Sequence, residues 1–168
     1  GLKVGDDVVV GWTISPEFIE EHGMTGTWKA FNDTWQPFFH RTIASIDTSA
    51  EPHTITLDVP IRYPAKVRDD ASVRVVSGVL SQCGVEHLGL GNATGWVEAW
   101  SHNQIHVLQL NGTRDCWVVG VESFSPPTAE TDGYGGGKHL TSGGVLVRWS
   151  KRVTVADSVF GYATHRGG

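Results

Sequence analysis

Three short phrases decide how this chain is read: Leu88-Gly89-Leu90, Val119-Gly120-Val121 and Val153-Thr154-Val155. Each alternates apolar with small or polar residues, as a strand with one buried face does. They begin at positions 88, 119 and 153. Related phrases sit between them, as Ile105-His106-Val107-Leu108-Gln109-Leu110 and Val145-Leu146-Val147-Arg148-Trp149. Strand phrases recurring at such a period, without a helical pattern between them, point to a solenoid in which each coil covers the apolar face of its neighbour. Leu88, Leu90, Val119, Val121, Val153 and Val155 are then expected to point into one continuous core. An antiparallel β-sandwich is the rival. Against it, hairpin signals are few, Asn111-Gly112 being the clearest, and the connections differ greatly in length, from Asn111–Cys116 to the Pro- and Gly-rich stretch Ser123–His139.

Before these phrases the pattern changes. Val4 to Trp12 reads as a strand. Ser15 then supplies an N-cap, Pro16 a first helical residue, Glu17 a charge suited to the helix start and Gly23 a stop, which predicts a helix of two turns at most. Gly23 to Pro37 has no period and reads as a loop carrying Trp28, Phe31 and Trp35. Phe39–Asp47 and Thr54–Val59 alternate as two strands joined by a turn at Ser49–Pro52, and Val73–Val76 forms another. The expected organisation is all-β, with a β-rich amino-terminal subdomain carrying one short helix over residues 1–80 and coils over 81–168.

Phrases such as Gly84-Val85-Glu86-His87-Leu88, Asp115-Cys116-Trp117-Val118-Val119 and Ser150-Lys151-Arg152-Val153-Thr154-Val155 resemble successive coils of right-handed parallel β-helix proteins of the pectate-lyase-like superfamily. The amino-terminal part is similar to the β-rich segment that precedes the coils in some secreted members. The resemblance implies a secreted, carbohydrate-associated protein with a polysaccharide or glycan partner. Lyases, hydrolases and spike proteins share the fold, so fold analogy does not choose between an enzyme and a structural element of a fibre.

Bulk properties set further limits. Formal net charge is -5, and the five Lys and eight Arg are scattered, so no basic stripe for nucleic acid is visible. No run approaches the roughly 18 apolar residues of a membrane span. The chain opens inside a strand-like phrase and closes on Gly167-Gly168 just after a coil, so both ends read as cuts through a longer protein or precursor. Residues after Tyr162 are too few and too polar to cover a last coil, which is then expected to be open and to be covered by another polypeptide, either the rest of a precursor or an identical subunit.

For lyase chemistry the resemblance implies an Arg or Lys base with calcium held by clustered acids. Here Asp115, Glu122 and Asp132 are separate and Asp157 lies a coil further on. No cofactor is evident, and calcium rests on the resemblance alone. Hydrolysis needs two carboxylates about 5–10 Å apart across one sugar, for which Glu86, Asp115 and Glu122 are the candidates. Histidine suits acid–base work near neutral pH. His139 and His165, in loops that overhang one face, together with Asp132, Arg148 and Arg166, mark where an active site is sought, although each alone also reads as structural. Trp96 and Trp100 would share one face of a strand, with Glu98 beside them to bind hydroxyls, as a sugar-stacking platform or as core.

Asn32-Asp33-Thr34, Asn92-Ala93-Thr94 and Asn111-Gly112-Thr113 match the N-glycosylation acceptor and include three of the four asparagines. They carry sugar in a eukaryotic secreted protein and mean nothing in a bacterial one, and Asn111-Gly112 is also simply a good turn. Cys83 and Cys116 are separated by close to one coil, so a disulfide and two free thiols both stand open, and laying the phrase at 119 over the phrase at 88 puts Cys116 over Val85 instead.

Overall fold

A computed structural model describes residues 1–30, 34–102, 105–127 and 136–165. The chain forms two compact units, Gly1–Gly78 and Val79–Gly168. Among the described residues it is all-β, mostly strands with two short α-helices.

The first unit holds β1 (Asp7–Trp12), α1 (Pro16–Glu21), β2 (Gln36–Asp47), β3 (Thr54–Leu57) and β4 (Ser72–Val75), with the strands in an antiparallel sheet of order β3-β2-β1-β4. Alternation along β1 buries Val8, Val10 and Trp12, and α1 buries Phe18 against the same core. The cap of α1 extends beyond the helix. Ser15 Oγ accepts from the Phe18 N–H at 3.0 Å and donates to Asp69 Oδ1 at 2.6 Å. Asp69 is 2 % exposed. Burial pushes its carboxyl up, but hydrogen bonds from Arg68 and Ser15 outweigh burial and hold it below the usual carboxylate range. Gly23, at φ 65°, follows the helix where the left-handed region is needed.

The second unit holds β5 (Leu80–Ser81), β6 (Gly84–Glu86), β7 (Gly89–Leu90), α2 (Trp96–Ser101), β8 (His106–Asn111), β9 (Thr113–Arg114), β10 (Trp117–Val119), β11 (Glu122–Ser123), β12 (Gly143–Arg148) and β13 (Thr154–Ala156). All of its described strand pairs are parallel and form small separate sheets, β13-β10-β6, β11-β7, β12-β8 and β5-β9. Trp117 pairs with Gly84 on one side and with Thr154 on the other. Superposing the apolar phrases would have set it against Glu86 and Lys151 instead. Val118 lies beside Val85 and Val155, while Val119 lies beside Glu86 and Ala156.

On the β13 side the phrase alignment is out by an odd number of positions, Lys151 against Thr154, and an odd slip exchanges the two faces of a strand. The core accordingly gathers Leu110, Cys116, Val118 and Val121, with Val85, Leu90, Leu108, Val145, Val153 and Phe160 packed against them. Leu88 and Val155, expected in the core, are exposed.

The bends carry the register. Gln82, Asp115 and Arg152 have φ of 57°, 54° and 51°, and His87, Gly120 and Asp157 have 50°, 64° and 50°. Each triplet repeats at the same offsets as the strands. Where the chain turns and the ladder is interrupted, serine hydroxyls take over as acceptors. Ser142, Ser150 and Ser158 Oγ receive the backbone N–H groups of Ile105, Thr113 and Val121 at 2.7, 2.9 and 3.1 Å, each 37 residues earlier. Buried backbone donors need partners, and these hydroxyls supply them at the corners. Arg152 crosses to Asp115 at one corner with two hydrogen bonds and holds that carboxyl below its usual range.

Candidate functional site

A groove of about 430 Å³ lies along the bend between β6/β10 and β7/β11. Its shape follows from two glycines. Gly89 pairs with Glu122, and a Cβ there would meet the Phe124 ring at 3.0 Å. Gly120, in the left-handed region, lies under the His87 ring, 2.6 Å from where its Cβ would be. The missing side chains leave a trough walled by Leu88 and Phe124, the latter 45 % exposed, with His87, Glu122 and Ser123 as its polar groups. Neither the Glu122 carboxylate nor the His87 imidazole has a hydrogen bond or ion pair among the described residues. Ser123 Oγ accepts from the Gly161 N–H at 3.0 Å and shares a hydrogen bond with His139 Nδ1, also at 3.0 Å, whose direction follows the imidazole tautomer. The His139 ring lies 4.7 Å from Tyr162. Sequence reasoning did not select Ser123 or Phe124; the recurring Gly at the bends was the available signal.

Of the expected catalytic residues, the three that are described, His139, Arg148 and His165, have different partners. Asp132 and Arg166 lie outside the described residues. Arg148 ends β12 with its guanidinium 4.9 Å from the Trp149 ring. His165 is buried with its ring 3.6 Å from Trp100. Among the three described, only His139, through Ser123, reaches the groove. The three carboxylates considered for hydrolysis also have separate roles: Glu86 accepts from Trp117 Nε1, Asp115 is clamped by Arg152, and Glu122 faces the groove.

No family model, curated protein or solved structure matches this chain.

Several local expectations are corrected. Trp96 and Trp100 stand on the helix α2, not on a strand. They still share a face, being an i,i+4 pair, but their rings meet edge-on at 5.4 Å and 69°, and His165 covers Trp100. Glu98, midway between them in sequence, is turned away from that face and lies 3.6 Å from His102. A flat two-indole platform with Glu98 beside it is therefore not formed.

Asn92, outside helix and strand, is half-buried and hydrogen-bonded. Its Oδ1 accepts from the Thr141 N–H at 3.1 Å, and its own N–H donates to His139 O. Asn111 is exposed at the end of β8, and Asn32 lies outside the described residues. Cys83 and Cys116 are both free, one exposed and one buried, and the true register places them side by side, not Cys116 over Val85. No group of three or more His, Cys, Asp or Glu that could hold a metal occurs among the described residues. No described helix is long and apolar enough to cross a membrane.

Proposed function

We propose that residues 79–168 are a segment of a secreted right-handed parallel β-helix protein of the pectate-lyase-like kind, and that its groove binds a polysaccharide chain. Support for the fold comes from parallel pairing at constant offsets, from bends repeated at those offsets, and from the strong preference of parallel crossovers for the right hand. The observation that carries the functional reading is the groove itself. It is open and lies along a bend, and it offers one exposed aromatic face for a sugar ring with a carboxylate that has no partner among the described residues, an imidazole and a hydroxyl for the ring's oxygens. Glu122 is the one carboxylate among its described lining residues, so binding is favoured over two-carboxylate hydrolysis.

Calorimetric titration of the purified chain with soluble neutral and uronic-acid polysaccharides tests this. Saturable binding is expected, weakened about fivefold by Phe124→Ala, from the roughly 1 kcal/mol of an aromatic stack. Full affinity in both Phe124→Ala and Glu122→Gln contradicts the groove as the site.

A second reading is favoured by the outer edge of β13, which has no further strand among the described residues, and by Val155, Val159 and Tyr162, which are exposed on the last segment. In this reading the unit stacks on another polypeptide as part of an extracellular fibre or spike. Sedimentation decides it: a concentration-independent monomer would count against stacking.

A further inference from the structure

The first unit contains an aromatic cavity that the polysaccharide reading does not use. At its floor Trp12 is buried, with the rings of Phe18, Phe38 and Phe39 at 6.0, 4.5 and 5.9 Å, tilted by 37°, 42° and 39°. Two neighbouring phenylalanines reach the same indole because of a bulge. Val10 pairs with Phe39 but Gly11 pairs with Pro37, which leaves Phe38 as the extra residue of β2. Trp28 and Tyr63 form the rim, 41 % and 37 % exposed. The volume is about 350 Å³, toward the small end of ligand pockets.

The sign of the charge at its mouth narrows the ligand. Aromatic boxes by themselves favour cations, but among the described residues no carboxylate lines this one, and Arg62 does. The other arginines of the unit are engaged. Arg41 donates to the carbonyls of Val59 and Pro60, Arg68 to Glu21 and Asp69, and Arg74 to Ser72 while lying over Trp35. Arg62 has no such partner among the described residues, so a five-donor fork shaped for a carboxylate stands open beside the rings. The described lining offers only Tyr63 and Arg62 as polar side chains apart from the indoles, too few for the hydroxyls of a pyranose.

We propose that this cavity binds a small planar aromatic carboxylate, its ring among Trp12, Phe38 and Tyr63 and its carboxylate on Arg62. The probe is 2-naphthoate, titrated calorimetrically into the whole chain beside neutral 2-naphthylmethanol and benzyltrimethylammonium. Intermolecular NOEs to the Phe38 and Tyr63 ring protons locate the ligand in this unit. Naphthoate is expected to bind about fivefold more tightly than the alcohol, a factor suited to a partly solvated ion pair. Arg62→Gln, at an exposed position, is expected to abolish that difference and leave the alcohol unchanged. If the variant does not fold, added salt on the native chain is expected to reduce the same ratio. Equal affinities, a ratio unaffected by both Arg62→Gln and salt, preference for the ammonium, or no saturable binding overturns the proposal.

Discussion

Replacing Ser150 or Ser158 with alanine removes one oxygen from the corner of the second unit, and its cost can be worked out atom by atom. Ser158 Oγ accepts from Val121, a fully buried residue, and donates to the Ala156 carbonyl at 2.8 Å. Ser150 Oγ accepts both the N–H and the hydroxyl of the buried Thr113, at 2.9 and 3.1 Å, and donates to the Arg148 carbonyl at 2.7 Å. Alanine leaves a main-chain donor buried without an acceptor, which costs about 1–3 kcal/mol. The two serines share no partner, so the double variant should lose about the sum. Ser101→Ala, on the exposed face of α2, is the control and should change stability by less than about 0.5 kcal/mol. Because two units can unfold separately, the assay is native-state hydrogen exchange, which reads the Thr113 and Val121 amides directly. Ser150→Ala should release protection at Thr113, and Ser158→Ala at Val121. Unchanged protection at both amides in both variants would refute the claim that these hydroxyls hold the register.

Other consequences follow from single residues. Gly120→Ala brings a Cβ against the His87 ring at a left-handed φ, and should cost about 1–3 kcal/mol in denaturant unfolding, whereas a loss below about 0.5 kcal/mol would contradict the bend geometry. Asp69 has a folded-state pKa below its unfolded value of about 3.9, so its contribution is complete above about pH 4 and is lost as pH falls through the folded value. Acid unfolding monitored at the first unit should show this loss, and Asp69→Asn should flatten it. In thiol titration under native conditions Cys83 should react promptly and the buried Cys116 only on unfolding, and two equally fast thiols would contradict the assigned burial.

What could be read from the residues differs between the units. The helix start was legible because Ser15, Pro16 and Gly23 act locally, and the strands of the first sheet were legible from alternation. The parallel register was not, because matching Leu88-Gly89-Leu90 to Val119-Gly120-Val121 compared apolar identity, whereas the register is fixed by where the chain bends. Ser142, Ser150 and Ser158 held that information. α2 was read as a strand because Trp96, Glu98 and Trp100 alternate as well as they fit a helix, and its N-cap, Gly95, makes no side-chain cap. The groove depends on Gly89 and Gly120 meeting rings from a neighbouring coil, far away in sequence. The aromatic cavity depends on a bulge in β2, which no local pattern announces.

The most direct test of the proposed parallel β-helix is measurement of NMR couplings transmitted across hydrogen bonds in the second unit. Parallel pairing places the Trp117 amide on the Cys83 carbonyl at 3.1 Å, Thr154 on Cys116 at 3.0 Å, Gly143 on Ile105 at 2.8 Å and Val159 on Val121 at 2.9 Å. Couplings within these four pairs, each running from a later segment back to an earlier one in the same direction along both, are the predicted result. Couplings that run in opposite directions along the two segments, joining 84–90 to 117–123 antiparallel, would contradict it.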